Sequence, residues 1–371
     1  MTIHHTYYKF ACQLECKDKS DGGLGIMRKL MNLAAATAFG AATMAVPAFA
    51  QGGPTLTKVL DRGTLLCTGH NGSFQGFAEV DDQGNWTGLD IDLCKGLASG
   101  LFGTHEGNLE IVPISWAQRW PALQSGDVDV IIKASGWTMS RDTELNLNFS
   151  RPYLIGAFQV MSLKDLGAEN VAGLDGGSIC VAAGTSTEKV MAAFIESNQL
   201  EIELITFEKT EEVNSSYFAG RCDGVIEWGP ALAATRLQAD NPEDHVILPD
   251  VVALEAEGIV VPHGDDNWHD IQNWLLATLW FAEQEGVTQA NVDGMKANPP
   301  TTAVGKMLGA TPGYGSRLGL SDDWGYHVIK AIGNFGEVYE RNLGSGSSYK
   351  LPRGINNLWT KGGVHYPMII D

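Results

Sequence analysis

The sequence predicts an α/β protein of two lobes, each a doubly wound and mostly parallel sheet, hinged by two chain crossings. Strand-like and helix-like segments alternate through residues 164–251, a pattern typical of doubly wound sheets. An apolar run at residues 128–132 predicts a buried strand of the other lobe. Residues 152–163 leave that lobe and residues 257–262 return to it, so one lobe is inserted into the other.

The composition is that of an acidic globular protein. The chain has 371 residues, is 44% hydrophobic and carries a net charge of −19. This length is sufficient for two domains. The negative charge argues against a nucleic-acid partner, because phosphate binding needs clustered Lys and Arg. It suits a soluble protein in an extracytoplasmic space.

The N-terminal region predicts secretion. A charged start at residues 27–29 is followed by an apolar, Ala-rich run over 30–46 and an Ala-Phe-Ala cleavage site at 48–50. This is the order of a secretory signal peptide, and the short apolar run disfavours a membrane anchor. We expect cleavage of residues 27–50 and a periplasmic protein. Residues 1–26 are interpreted as a gene-model extension whose His and Cys residues bind no metal.

The first lobe is expected to begin with a helix that ends at Gly63. Asp90 and Asp92 fall at the start of a later helix, where acidic residues are favoured, so we assign them to helix initiation rather than catalysis. Trp116 and Trp120 begin a helical apolar stripe. The predicted elements are a helix at 55–62, a strand at 64–69, a Gly-rich loop at 70–77, a hairpin turn at 81–85, a helix at 88–101, a strand at 109–113 and a helix at 116–124.

Residues 127–151 predict an anion site. The buried strand ends in a turn of small residues, Ser135 and Gly136, and Thr138 is suited to cap a following helix. Arg141 then falls in the first turn of that helix. Free N–H groups and a fixed guanidinium would point at one spot, as anion binding requires. An ordinary strand-to-helix turn with a surface arginine is the alternative interpretation.

The second lobe is expected to contribute another helix start. Thr185 and Glu188 have the spacing of a capping box, directly after a strand. The N–H groups of this helix start would be available to an anion. The predicted elements are strands at 178–182, 202–207, 224–227 and 246–248, and helices at 185–197, 210–219 and 230–239; a long helix at 268–284 follows the return crossing.

Several motifs resemble the substrate-binding proteins of amino-acid ABC transporters, solute-binding family 3. They are T-x-S-R-D at 138–142, G-x-W-x-G-L-D-x-D-x-C at 84–94, and the tail motifs DDWGYHVIKAIGNFGEVYERNLG and LPRGINNLWTKGG. The tail is closely similar to the C-terminal extension of the general L-amino-acid-binding subfamily. The resemblance covers residues 55–371 and implies the type II periplasmic binding protein fold. Lobe 1 would then comprise 51–157 and 256–371, and lobe 2 would comprise 158–255.

The resemblance also implies site residues and a partner. Arg141 and its turn would grip the α-carboxylate of the ligand, helped by the N–H groups of Thr185, Ser186 and Thr187. Trp116 occupies a position that borders the ligand in the family. The partner would be a membrane ABC permease; no cofactor is expected, and a monomer is the default.

The sequence departs from the family where the ligand's ammonium is bound. The family usually carries an Asp five positions after the equivalent of Asp223, but this chain has Trp228 there and Glu227 just before it. Because strand neighbours point to opposite sides, either a local shift presents Glu227 or Trp228 faces the ligand. Ala134 and Gly136 replace residues with hydrogen-bonding side chains.

Lys133 keeps a positive charge near Arg141, so a carboxylate ligand remains plausible. The departures from the family pattern also predict a wall of aromatic side chains in the pocket. The faces of such side chains hold planar rings or alkylated ammonium groups. We assign Trp137 to the core. The expected wall residues are Phe74, Phe77, Trp116 and Trp228.

Two ligand classes therefore compete: an ordinary L-amino acid with Glu227 in place of the missing Asp, or a non-amino, N-alkylated or aromatic carboxylate. An enzyme is disfavoured because the sequence has no G-x-S-x-G, H-E-x-x-H or P-loop motif. A periplasmic sensor is the remaining hypothesis.

Four cysteines lie beyond the signal peptide. An even count in an oxidising compartment predicts disulfides, and no C-x-x-C spacing favours zinc. Sequence alone permits three pairings. We expect Cys67–Cys94 and Cys180–Cys222, because each pair flanks one βα unit and would staple one lobe.

Overall fold

The computed structural model describes residues 52–371. The expected extension at 1–26 and the signal peptide at 27–50 lie outside the described residues and stay predictions. Within 52–371, none of the helices combines the length and the hydrophobicity that a membrane crossing requires.

Strands and helices alternate along most of the chain, as the apolar patterns predicted. The strands are β1 (Leu65–His70), β2 (Glu79–Val80), β3 (Trp86–Thr87), β4 (Leu109–Ile114), β5 (Ile131–Gly136), β6 (Leu147–Phe149), β7 (Leu154–Leu163), β8 (Ser178–Ala182), β9 (Glu203–Phe207), β10 (Gly224–Trp228), β11 (His245–Ile247) and β12 (Ala253–Pro262). The helices are α1 (Pro54–Arg62), α2 (Leu89–Phe102), α3 (Arg119–Ser125), α4 (Met139–Thr143), α5 (Ser186–Asn198), α6 (Thr210–Phe218), α7 (Gly229–Arg236), α8 (Asp266–Gln284), α9 (Val292–Ala297), α10 (Thr302–Met307), α11 (Trp324–Ile332) and α12 (Phe335–Asn342).

Each lobe is built on parallel strands. In lobe 1, β1 pairs with β4, and Cys67 on β1 bridges Val130 just before β5. In lobe 2, β9, β8 and β10 are parallel neighbours, connected through α5 and α6. These are the βαβ units that the alternating pattern predicted.

The two crossings, β7 and β12, join the lobes into one sheet of order β5-β12-β7-β10-β8-β9. They run antiparallel to each other, with Glu255 opposite Gly156. Among the described residues, every antiparallel pair except the β2–β3 hairpin includes a crossing strand. The predicted two-lobe α/β fold is confirmed. The return crossing, however, begins at Ala253 rather than at 257, so it includes one further residue that lines the cleft, Glu255.

Two local predictions in lobe 1 were wrong. Helix α3 begins at Arg119, so Trp116 precedes the helix instead of starting it. Trp137 is not a core residue: its side chain is 49% exposed, stacks on Phe149 and donates to Asp142 Oδ2 at 2.7 Å.

The acidic pair at the start of α2 makes tertiary contacts that the helix-initiation assignment missed. Asp90 accepts from Tyr153 Oη at 2.8 Å and from Ala134 N at 3.0 Å. Asp92 accepts from Arg341 Nη2 at 2.7 Å. The first-turn location was predicted correctly, but the carboxylates tie α2 to β5, β7 and the C-terminal region.

The C-terminal region packs on α2 and α8. Two glycines of α2 allow α11 to approach closely: a Cβ on Gly96 would lie 2.5 Å from Ile332 Cδ1, and one on Gly100 would lie 3.0 Å from Val328 Cγ2. Arg353 extends the contact to α8 through a buried ion pair with Glu283 at 2.6 Å. The tail is therefore part of the body of lobe 1.

Both disulfides have the expected pairing. Cys67 on β1 is joined to Cys94 on α2, and Cys180 on β8 is joined to Cys222, two residues before β10. Each bond links two elements of a single lobe.

Candidate ligand-binding cleft

The candidate site is a closed cleft between the lobes. Trp116 Nε1 donates to Thr210 Oγ1 on α6 at 3.1 Å, and Ser73 N donates to Glu211 of the same helix. The free volume between the lining side chains is about 20 Å³, room for about one water molecule. The lining residues are Phe74, Trp116, Arg119, Ala134, Phe158, Thr185, Ser186, Thr187, Glu227, Trp228, Glu255 and Glu257.

The structure brings many of the predicted site residues to this cleft. Those that line it are Phe74, Trp116, Thr185, Ser186, Thr187, Glu227 and Trp228. The other predicted residues are buried beside the lining residues: Lys133, Ser135, Gly136, Arg141 and Phe77. Sequence reasoning missed Arg119, Phe158, Glu255 and Glu257.

Arg141 is held at the start of α4. Thr138 caps this helix by accepting from Arg141 N, as predicted. The Arg141 guanidinium donates from Nη1 to Gly136 O at 2.7 Å and lies over the Trp120 ring at 4.8 Å. Burial lowers its pKa and the Glu255 and Glu257 carboxylates raise it. An arginine keeps its charge under such shifts, so a fixed positive charge stands at the cleft.

The second anion-binding element is the start of α5. Thr185 caps the helix by accepting from Glu188 N, as the sequence predicted. The reciprocal half of the predicted capping box is different, because Glu188 accepts from Gly184 N at 2.7 Å instead of from Thr185 N. The N–H groups of Ser186 and Thr187 in the first turn, with the positive end of the helix dipole, favour a negative charge here.

Two acidic side chains of the return crossing enter the cleft. Glu255 and Glu257 are two residues apart on β12, so they share a face of the strand. Glu255 accepts from Ser186 Oγ at 2.8 Å and lies 3.7 Å from Arg141 Nη1. Burial, and then the neighbouring Glu255, holds the pKa of Glu257 well above that of an ordinary carboxylic acid. Glu257 Oε2 has no hydrogen-bond partner within residues 52–371.

These acids have a sequence signal that the prediction of the site did not use. The segment A-L-E-A-E-G-I-V-V is apolar except for two Glu at a spacing of two. Charged residues are seldom buried without a partner, so an E-x-E pair on one face of an apolar strand indicates a functional surface.

The two alternatives for Glu227 and Trp228 are not exclusive in the structure. Both side chains line the cleft, because β10 ends at Trp228 and the chain turns into α7 there. Burial raises the pKa of Glu227 to about 7, and its Oε1 accepts from Trp228 N at 2.8 Å. Trp228 packs on Phe77, and its Nε1 has no hydrogen-bond partner in the described part of the chain.

Besides Phe158, the aromatic wall contains a further member that was not predicted, His70. Its ring stacks on Phe74 at 5.0 Å and meets Trp116 edge-on at 4.7 Å. Phe74 in turn stacks on Phe77. Burial, followed by the Lys133 and Arg119 charges, lowers the pKa of His70 well below its usual value, so the ring is neutral.

Two further cations are buried near the wall. Lys133 Nζ lies 4.4 Å from the centre of the Trp116 ring and donates to Gly69 O at 3.3 Å. Arg119 lies against Trp116 and Trp120, at 5.0 and 4.1 Å, and donates to Trp116 O at 2.8 Å. Its Nε has no hydrogen-bond partner among the described residues.

Asp90 supports the turn at the end of β5. Ala134 N donates to Asp90 Oδ2 and to Tyr153 Oη, and these bonds hold Ala134, whose φ of 33° is unusual for a residue with a side chain. Burial raises the pKa of Asp90 to about 7, and the Tyr153 hydroxyl and Lys133 charge oppose that effect. Among the described residues, no group of three or more His, Cys, Asp or Glu side chains is placed to hold a metal ion.

The cleft combines a fixed guanidinium and a helix start with several carboxyl groups and an aromatic wall. Such a site can bind a small molecule that carries both an anionic and a cationic group.

Comparison with known proteins adds three findings. Residues 66–286 match the family model described as bacterial extracellular solute-binding proteins, family 3. The chain is 41% identical to the general L-amino acid-binding periplasmic protein AapJ of Rhizobium johnstonii, over 91% of this chain and 98% of that protein. It is 38% identical to the glutamate/glutamine/aspartate/asparagine-binding protein BztA of Rhodobacter capsulatus, over 88% and 96%.

A solved structure is also similar over most of its length. It is an ABC transporter periplasmic binding protein from Brucella ovis with glutathione bound, 40% identical, with a TM-score of 0.81. The match covers 85% of this chain and 99% of that one.

Proposed function

This chain belongs to the bacterial extracellular solute-binding proteins of family 3, and we propose that it is a periplasmic receptor that captures an L-amino acid and delivers it to an ABC permease. The relatives that support the proposal are named as amino-acid-binding proteins. They favour an amino acid over the non-amino or N-alkylated ligand that the Trp228 substitution suggested. The expected signal peptide agrees with a periplasmic location.

One observation carries the proposal: Arg141 of lobe 1 and the start of α5 in lobe 2 converge on the same carboxylate, that of Glu255. Two elements that favour negative charge therefore meet across the cleft. The α-carboxylate of an amino acid fits this arrangement. Its binding would couple the two lobes, because neither element alone surrounds it.

The ammonium group of the ligand would face the acids of the cleft. Glu257 Oε2 is buried without a protein partner among the described residues, and Glu227 lines the same cleft. An ammonium ion is the group that both carboxyls would stabilise, since a buried charge needs a partner. These acids would replace the Asp that the family resemblance placed at position 228.

Delivery would follow from lobe closure. The crossings β7 and β12 are the covalent links between the lobes, and bending within them would open the cleft. A ligand stabilises the closed form only by contacts that it makes there and not in the open form. The proposed lobe boundaries, at 157/158 and 255/256, lie within these two strands. We infer no catalysis, and a monomer remains the expectation.

The test is a thermal-shift panel on residues 51–371 with the standard L-amino acids, glutathione and des-amino carboxylates, followed by calorimetry of each binder. We expect L-amino acids to raise the melting temperature by mass action. Replacement of Arg141 by Ala should weaken binding by roughly 2–3 kcal/mol, because a charge-assisted contact is lost. Arg317→Ala is the matched control, since the Arg317 side chain is 70% exposed and is not one of the lining residues.

Three results would count against the proposal. Stabilisation by des-amino carboxylates alone would remove the amino-acid assignment, and undiminished affinity in the Arg141 variant would exclude its role as anchor. An equal loss in both arginine variants would show that the effect is not specific to the cleft.

A further inference from the structure

A protein carboxylate occupies the anion-binding position of this cleft. Glu255 Oε2 accepts from Ser186 Oγ at 2.8 Å, and Glu255 Oε1 lies 3.7 Å from Arg141 Nη1. Ser186 belongs to the helix start of lobe 2, and Arg141 belongs to lobe 1. The side chain therefore contacts the two elements, the start of α5 and Arg141, that we assign to the ligand's carboxylate.

Gly136 makes the room for this carboxyl group. A Cβ at position 136 would lie 1.8 Å from Glu255 Cδ and 1.9 Å from Glu255 Oε1. The backbone of Gly136 is not in the left-handed region, so conformation alone does not require glycine there. The requirement is space. The absence of a side chain at Gly136 on β5 thus leaves the space that the Glu255 carboxyl group on β12 fills.

Because Glu255 lies on a crossing strand, its ion pair with Arg141 differs from an ion pair within one lobe. Glu255 stands at the end of the proposed lobe 2, opposite Gly156 on the other crossing. Its carboxyl group touches groups on both sides of the cleft and is only 8% exposed. A link of this kind stabilises the closed form and is broken when the lobes separate.

We propose that Glu255 is an internal substitute for the ligand carboxylate, which bridges the lobes in the absence of ligand and which the amino acid must displace. This inference rests on the proposed function. Arg141 cannot pair fully with two carboxylates at one position, so Glu255 and the ligand compete. The competition raises the apparent Kd in inverse proportion to the fraction of molecules in which Glu255 is disengaged. It also makes the ligand-free protein more closed than it would otherwise be.

The first test is Glu255→Gln, which keeps the size of the side chain and removes its charge. If the engaged form outweighs the disengaged form about ten to one, the variant binds the same L-amino acid about tenfold more tightly. Small-angle X-ray scattering of the ligand-free variant should show a larger radius of gyration than that of the wild type. Glu110→Gln is the matched control, because Glu110 is exposed on β4.

The second test disturbs the same contact from β5, the strand that carries Gly136. In Gly136→Ala the added Cβ displaces the Glu255 carboxyl group while Glu255 itself is kept. We expect a more open ligand-free form here as well, but weaker binding, because the same Cβ fills the position that the ligand's carboxylate would take. The double variant should open the ligand-free form no further than the stronger single variant does, because both act on one interaction.

Weaker or unchanged binding by Glu255→Gln, with an unchanged radius of gyration, would overturn the proposal. It would assign Glu255 to ligand contact or to lobe structure. If Gly136→Ala fails to fold, the Glu255 variant alone decides. The scattering measurement needs no ligand, so a failure of the amino-acid assignment in the panel is distinguishable from a failure of this inference.

Discussion

At the scale of single residues, the proposed ammonium site uses acids at other positions than the one that the family resemblance implies. Trp228 stands where the resemblance places Asp and packs its indole on Phe77. Acidic side chains line the cleft instead from the neighbouring position, Glu227, and from the crossing strand, Glu257. Burial gives both carboxyl groups raised pKa values, so they are costly to ionise until a cation arrives.

Glu257→Gln tests this assignment. The variant should weaken binding of an L-amino acid by roughly 1.5–3 kcal/mol, the range for a hydrogen bond to a charged group. Binding of the corresponding carboxylate without the amino group should change little, because it offers no cation to Glu257. Calorimetry with the two ligands measures the difference. Equal losses for both ligands would show that Glu257 supports the cleft structurally and does not select the amine.

At the scale of elements, each disulfide joins a β-strand to another segment of the same lobe. The bond Cys67–Cys94 spans 27 residues and Cys180–Cys222 spans 42. Loop-closure entropy predicts that removing either pair lowers the free energy of unfolding by roughly 3.5–4 kcal/mol, with a difference of only about 0.4 kcal/mol between them.

Double Cys→Ala variants of each pair, unfolded in urea, measure these losses. Because the two bonds lie in different lobes, their effects should add. A loss confined to one pair would mean that the other cysteine pair is not bonded in the purified protein.

Elements in which apolar residues recur at a regular spacing were predictable. The residues at which those elements begin were less predictable. The strand at 178–182 and the cap at Thr185 follow from local patterns of apolar and capping residues. Helix α3 was placed three residues early, because Trp116 continues the helical spacing but is held by His70 and Thr210 across the cleft. A tertiary contact decided that boundary, and no local pattern records it.

The candidate site was predictable where its residues lie at element ends. Thr185 was singled out by its capping box directly after a strand, and Trp228 by the family resemblance, which places an Asp at its position. Glu255 and Glu257 were missed because they lie inside a strand, and their meaning depends on which face of β12 the lobes leave open. That face is a property of the assembled sheet.

At the scale of the whole molecule, the crossings and the C-terminal tail have opposite effects on mobility. Opening must be absorbed by β7 and β12, which are the only chain links between the lobes within the described residues. The tail contacts the hinge at β7, where Asn356 exchanges two hydrogen bonds with Ile155. It also covers α2 and α8, and we expect this packing to oppose motion within lobe 1.

Removal of the tail should therefore unfold lobe 1 and not merely loosen the cleft. A chain that ends at Ala297 loses α11 and α12, including the fully buried Trp324 and Phe335, and exposes the faces of α2 and α8 that they cover. Loss of one buried Phe or Trp side chain costs roughly 3–5 kcal/mol, comparable with the stability of a whole domain. We expect dye binding to exposed apolar surface and no cooperative urea transition. A chain lacking only residues 369–371 is the control, because Ile369 is 87% exposed. A cooperative transition in the shorter chain would show instead that lobe 1 folds without its tail.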